Sequence, residues 1–426
     1  MSRSWLMIPA GRALRFARVF ALAGLLVLPL LAACAAPTPG WPPARTYAAP
    51  VALTAATCTD GVQTSGAKTR ICLPDPAALW NKNLVIYAHG YVAPYVPVQI
   101  PEDQLHLPDG TYIPDVVTGF PLYYAFATTS YSVNGLAVRQ GLADIVDLVS
   151  IFRAAHPQLQ RVVLVGASEG GLITTLAAEQ FPGVFAGGLA ACGPIGDFQA
   201  HANYISDFRV VFDYFFPGVI PGTAVDIPPT LVPTWDEYYK NTVLPVILAP
   251  SSQLSVTQVL SVTKAVVDPL AVQATISQTF ASVLWYNVVA TNDAILKLDG
   301  SPYDNNGRVY SGSLDDVALN LGVGRYSSDP AGTAELQAHY QTAGAPLVPL
   351  VTLHTLYDPT VPYWHEVLYR AKVVARHDTP RHDNIPVNRY GHCNFTSNDV
   401  QGALLLLLTR VNNPPPFVTV LPLVLK

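Results

Sequence analysis

The chain has 426 residues, 50% of them hydrophobic and 12% charged, with 24 Lys and Arg against 29 Asp and Glu and a net charge of −5. Globular domains ordinarily carry about 25% charged residues, so the surface must rely on uncharged polar groups and on the 38 prolines. Hydrophobicity this high excludes intrinsic disorder, and the lack of a basic run argues against nucleic acid as a partner.

Residues 1–33 hold Arg3, Arg12, Arg15 and Arg18 and no acid, and an apolar run from Val19 to Ala33 completes the segment. A run this short, interrupted by Pro29, reads as the core of an export signal and not as a membrane span. Leu31-Ala32-Ala33-Cys34 resembles a bacterial lipobox, in which Cys34 is lipidated and becomes the mature N-terminus. Cleavage at a neighbouring small residue, with Cys34 lost or left as a free thiol, is the alternative. Residues 34–50 are rich in Pro and Ala without an apolar period and read as a tether. The expectation is a protein outside the cytoplasm, either anchored through its N-terminal lipid on the periplasmic or cell-surface side or secreted, and monomeric. Of five cysteines, four remain after Cys34. Cys58 and Cys72 flank a polar, Gly-containing stretch that reads as a hairpin loop, so they are expected to pair. Cys192 and Cys393 then form either a long-range bridge or two buried thiols.

From Asn83 onward, strand-like apolar runs alternate with helical segments. Leu84–Ala88 is a buried strand ending at His89-Gly90-Tyr91, and residues 122–128 form a second. Between Gly135 and Ala155, Leu136, Leu142, Ile145, Leu148 and Val149 recur at helical spacing. A third strand, Arg161–Val165, runs straight into Gly166-Ala167-Ser168-Glu169-Gly170-Gly171; a helix and a fourth strand near 184–191 follow. The rhythm stops after Asp197 and resumes with a strand at 346–353, a helix, an extended stretch at 384–390, Gly391-His392 and a last helix. This alternation predicts the α/β class, a mostly parallel sheet with helices on both faces. The core would comprise residues 51–197 and 346–426, and residues 198–345 would be a helical insertion serving as a lid.

Gly166-Ala167-Ser168-Glu169-Gly170 fits G-x-S-x-G in the strand–turn–helix context that motif needs. Small residues on either side let strand and helix approach, and the serine sits on the sharp turn between them. Over about residues 80–196 and 346–412 the sequence resembles the α/β-hydrolase fold, and most closely secreted lipases, feruloyl-type esterases and polyester-degrading esterases of bacteria. The resemblance implies a Ser168 nucleophile, a His392 base and an Asp358 acid, in the chain order of the fold. Asp197, past the fourth strand, is a rival acid. The backbone N–H groups of Tyr91 and Glu169 would form the oxyanion hole, while the Glu169 side chain would serve the helix dipole. His89 and Gly90 are candidate substrate-binding residues. So are Ser130 and Tyr131, at another strand end, although Ser and Asn-Gly there are equally turn chemistry. A Cys192–Cys393 bridge would tie the fourth strand to the histidine loop.

Tyr214, Phe215, Phe216, Trp235, Tyr238, Tyr239, Trp285 and Tyr286 either line a hydrophobic funnel or, for most of them, build the insertion's own core. An apolar, weakly charged roof favours uncharged esters, because a buried charge without a partner is costly. The resemblance therefore implies an exported carboxylic ester hydrolase, acting on small or polymeric esters. An aminopeptidase or prolyl peptidase of the same fold is one alternative; it would need acidic groups for the substrate amine, for which the insertion offers Asp236-Glu237 and Asp315-Asp316. A non-catalytic surface-binding lipoprotein is the other. Metal and cofactor motifs fail: His365-Glu366 lacks a second histidine at position 369, and Gly322-Val323-Gly324 lacks its third glycine at 327. No cofactor or metal is expected.

Overall fold

The computed structural model describes residues 56–107, 109–119 and 121–414; the leader, Cys34 and the tether lie outside them. Eight strands run in chain order: β1 (Thr57–Val62), β2 (Lys68–Leu73), β3 (Asn83–Ala88), β4 (Ala125–Thr129), β5 (Arg161–Ala167), β6 (Gly187–Ala191), β7 (Leu350–Tyr357) and β8 (His382–Tyr390). They form one sheet in the order β1-β2-β4-β3-β5-β6-β7-β8. The pairs β1–β2 and β2–β4 are antiparallel, and every later pair is parallel. Strands β3 to β7 are nearly continuous runs of buried Val, Leu, Ile and Ala, as expected of strands covered on both faces.

Helices supply that cover. They are α1 (Ile113–Thr118), α2 (Val138–Ala155), α3 (Glu169–Gln180), α4 (Phe198–Phe215), α5 (Trp235–Tyr238), α6 (Leu244–Leu248), α7 (Gln253–Thr263), α8 (Val272–Lys297), α9 (Asp316–Gly322), α10 (Pro330–His339), α11 (Trp364–Ala375) and α12 (Ser397–Asn412). Alternate residues of each strand face opposite layers. Leu84, Ile86 and Leu164 pack on Ile145, Leu148 and Phe152 of α2 and Ile173 and Leu176 of α3. Val85, Tyr87 and Val163 pack on the other side with Val117 of α1 and Leu404 and Leu407 of α12. Helix α11 joins the α3 side through Tyr369 and Val373.

Between β6 and β7 the described residues hold seven helices, α4 to α10, and no strand. This segment has a core of its own around Phe208, Phe212, Trp235, Val256, Phe280 and Leu284. All eight aromatics singled out in the sequence belong to that cluster, Phe216 and Trp235 buried and the other six packed against it.

Element boundaries shift where local chemistry opposes the pattern. Helix α2 starts at Val138 instead of Gly135, because Gly135 has φ +76° and the Ala137 N–H is taken by the Glu169 carboxyl at 2.8 Å. Strand β4 starts at Ala125, since a turn after α1 occupies the preceding residues. Strand β7 starts at Leu350, after Pro349, which has no N–H to donate, and it runs on to Tyr357 beside the longer β8. The register shifts between Thr355 and Tyr357. Such an irregularity bends the chain, here just before Asp358.

Candidate active site

Ser168 occupies the turn between β5 and α3 with φ 56° and ψ −119°, a conformation that costs a side-chain-bearing residue of order 1–3 kcal/mol. The surrounding structure holds it there. Its N–H donates to the Ala191 carbonyl at 2.8 Å, and the chain packs so tightly that only glycine fits on either side. A Cβ at Gly166 would lie 2.0 Å from the Gly170 carbonyl oxygen, and one at Gly170 would lie 2.0 Å from that of Ala88.

His392 follows Gly391, whose N–H donates to the Tyr357 carbonyl at 3.0 Å and whose carbonyl accepts from the Thr355 hydroxyl at 2.6 Å. Cys192, past β6, is disulfide-bonded to Cys393, so the end of β6 and the histidine loop are covalently joined. His392 Nε2 lies 2.8 Å from Ser168 Oγ, and Nδ1 lies 2.7 Å from Asp358 Oδ2. A carboxylate only accepts, so the proton sits on Nδ1 and Nε2 is free to accept from the serine hydroxyl. Asp358 is fully buried; its Oδ1 accepts from the Thr360 and Val361 N–H groups at 2.8 and 2.9 Å. Burial alone would raise its pKa, but His392 and His354 beside it outweigh burial and hold it below the usual carboxylate range.

The rival acid Asp197 is elsewhere. It caps α4, with Oδ1 accepting from the Ala200 N–H at 3.0 Å and the Gln341 amide at 2.8 Å.

Two cavities meet at Ser168. One, of about 130 Å³, lies under the insertion and is lined by Leu136, Ile205, Ala294, Ile295 and Leu298 beside Ser168. The other is lined by Gly90, Gln104, Ile113, His392 and Phe395. Tyr91 and Glu169 border the first cavity. The Glu169 N–H opens α3 and has no carbonyl one turn back. Gln104 steadies the Tyr91 turn, accepting from the Gly90 N–H at 2.7 Å.

Three expected substrate contacts instead build the wall behind this turn. His89, Ser130 and Tyr131 are buried, and neither cavity is lined by them. The His89 ring stacks on Tyr131 at 3.9 Å, the Tyr131 hydroxyl donates to the His89 carbonyl, and Ser130 Oγ donates to the Tyr131 carbonyl. Of the four candidates, Gly90 alone faces a cavity. The Glu169 side chain also departs from expectation. It is buried, its Oε1 accepts from the Ala137 N–H at 2.8 Å, and burial raises its pKa to about 8. His201, on the same cavity, is pushed down to about 4 by burial. The first cavity has a mostly apolar lining, and no Lys or Arg lines it among the described residues.

Sequence reading had no way to single out Tyr286. From α8 it borders both cavities that meet at Ser168, and burial raises its pKa. Spacing placed it only among eight aromatics of the insertion. The acidic pairs a peptidase would need do not line the Ser168 cavity. Asp315 caps α9, and Asp316 accepts from Ser313.

Strand order, parallel crossovers and the strained serine turn define an α/β-hydrolase fold. No family model and no curated protein matches the chain. Among solved structures it is similar to feruloyl esterase B from Aspergillus oryzae, with 13% identity and a TM-score of 0.48 over 83% of this chain and 80% of that one. It is also similar to the Pyrococcus furiosus esterase Pf2001, with 9% identity and a TM-score of 0.41 over 84% and 90%. A third is Pyrococcus horikoshii acylaminoacyl peptidase, with 11% identity and a TM-score of 0.38 over 84% of this chain. The match spans 40% of that peptidase's length.

Proposed function

We propose that the protein is a serine hydrolase that cleaves uncharged carboxylic esters through Ser168, His392 and Asp358. The observation that carries this reading is the hydrogen-bonded chain of 2.8 and 2.7 Å from serine to histidine to buried carboxylate, opening on a mostly apolar cavity that no Lys or Arg lines. In the acylation step His392 Nε2 takes the Ser168 proton while Oγ bonds to the ester carbonyl carbon. The carbonyl oxygen becomes an oxyanion facing the Tyr91 and Glu169 N–H groups, each such donor contributing about 2.7–4 kcal/mol. His392 then returns its proton to the leaving alkoxide, and the carbon–oxygen bond breaks to give an acyl-serine. Water, deprotonated by the same histidine, releases the acid and restores the hydroxyl. Asp358 stays ionised throughout and stabilises the imidazolium.

The 130 Å³ cavity is the acyl pocket in this reading. A cavity of about 150 Å³ accepts benzene, so acyl chains of about four to six carbons fill this one. The insertion is its roof and lid. Export, with a lipid on Cys34, belongs to the same proposal, and the disulfides Cys58–Cys72 and Cys192–Cys393 suit an oxidising compartment.

The test is hydrolysis of p-nitrophenyl butyrate, hexanoate and laurate beside an amino-acid p-nitroanilide, with Ser168→Ala in parallel. Butyrate or hexanoate should be fastest, laurate at least tenfold slower, and all turnover should vanish in the variant. Amide turnover above ester turnover would move the protein to the peptidases. Equal rates in Ser168→Ala and the unaltered protein would leave the fold without this chemistry.

A further inference from the structure

Behind the carboxylate that holds His392 lies a second buried histidine. His354 is on β7, four residues before Asp358, and both side chains are fully buried. Its Nε2 lies 2.8 Å from the Val361 carbonyl oxygen. A carbonyl cannot donate, so Nε2 carries a proton. Its Nδ1 lies 3.1 Å from Glu366 Oε1 on α11. Glu366 is also buried, and its other oxygen accepts from the Thr352 hydroxyl at 2.7 Å and the Asn384 amide at 2.8 Å. Among the described residues its ion-pair partner is His354 alone. A contact between Nδ1 and a carboxylate oxygen needs a proton between them, so the pair holds one proton more than a neutral imidazole would bring. With that proton on Nδ1, the ring is an imidazolium 3.5 Å from Asp358 Oδ2, the same oxygen that binds His392.

We propose that His354, kept doubly protonated by Glu366, is a positioning residue that holds Asp358 ionised and its Oδ2 aimed at His392. This rests on the hydrolase reading above. The physical need is clear: two carboxylates buried without a cation between them cannot both stay charged, and one takes up a proton. His354 lets both remain ionised, and the charges alternate from Glu366 through His354 to Asp358, which holds the neutral His392 at the end of the row. Burial works against the charge on His354, but its hydrogen bonds and proximity to Asp358 and Glu366 push its pKa up to about 10. The other titratable groups facing it do not compete for the role. Burial lowers the pKa values of His365 on α11 and His382 on β8, and Tyr363 meets the His354 ring edge-on at 5.8 Å. Around Asp358, Tyr204, Tyr286 and Tyr390 are raised by burial and stay neutral.

Nitrogen-15 NMR of histidine-labelled protein tests the proton count, with His354 assigned by its loss in His354→Gln. Both ring nitrogens of His354 should remain protonated at pH 8. A single unprotonated His354 nitrogen at that pH would overturn the proposal, whether or not the protein hydrolyses esters. The kinetic arm uses His354→Gln, Glu366→Gln and the double variant on a soluble ester. Each removes the cation, so a proton on His392 is better stabilised or Asp358 ionises later, and both effects act in one direction. The acid limb of kcat/KM should move up by about one pH unit, with KM within twofold. The double variant should shift no further than either single one. An unmoved acid limb, or shifts that add in the double variant, would reduce His354 to a packing residue. Inactive unaltered protein with a doubly protonated His354 would instead sink the hydrolase reading and leave the buried pair standing.

Discussion

At the scale of single residues, burial decides which groups carry charge. Glu169 and Asp358 are both buried carboxyls near the serine, yet their environments push them apart. Asp358 has two imidazoles beside it and stays ionised, whereas Glu169 accepts one backbone N–H, and burial raises its pKa from 4.5 to about 8. A raised acid binds more protons folded than unfolded, so its contribution is fully present below the unfolded value and is lost as pH climbs through the folded one. Glu169→Gln should therefore be less sensitive to alkali. Between pH 5 and 8.5 its midpoint of thermal unfolding should fall less than that of the unaltered protein, the difference reflecting up to a few kcal/mol. Parallel slopes for the two proteins would show that Glu169 does not titrate in this range. Ser168, Asp358 and His392 were legible in the sequence because each stands at the end of a recognisable strand or beside a glycine. His354 was not. In sequence it directly follows the apolar run read as a strand at 346–353, and its partner is brought to it by a helix from the next connection.

At the scale of elements, the strands and core helices follow from apolar runs and periodicity, and the misplaced ends have local causes. The late start of α2 depends partly on Gly135, inside the segment, and partly on Glu169, 31 residues further on than Val138, which no local window contains. The hairpin of β1 and β2 was readable from its cysteines: Cys58 faces Cys72 in register, and the two are bonded. The Cys192–Cys393 bridge spans 201 residues and joins the end of β6 to the loop that presents His392. Removing a native disulfide typically costs about 2–5 kcal/mol. Cys192→Ala/Cys393→Ala should lower the unfolding midpoint and cut kcat at least tenfold at temperatures where the fold is intact, because His392 loses its tether. Full activity in a folded double variant would show that the hydrogen bonds of Gly391 suffice to hold the loop.

At the scale of the molecule, the sheet places Ser168, Asp358 and His392 after the ends of β5, β7 and β8, and helices of the segment between β6 and β7 line the cavity beside Ser168. The sheet's class could be read from the alternation of strands and helices. The insertion's contribution to the site could not, because α4 and α8 reach Ser168 only through the tertiary packing of a separate core. Tyr286 at the serine is the clearest case. Proton removal by His392 makes Ser168 a nucleophile in the proposed reaction, and treatment with an apolar fluorophosphonate followed by peptide mass spectrometry tests this most directly. One phosphonyl group per chain is expected, on the peptide containing Ser168, with labelling slowed at least a hundredfold in His392→Ala. Labelling at another residue, or an equal rate in His392→Ala, would contradict it.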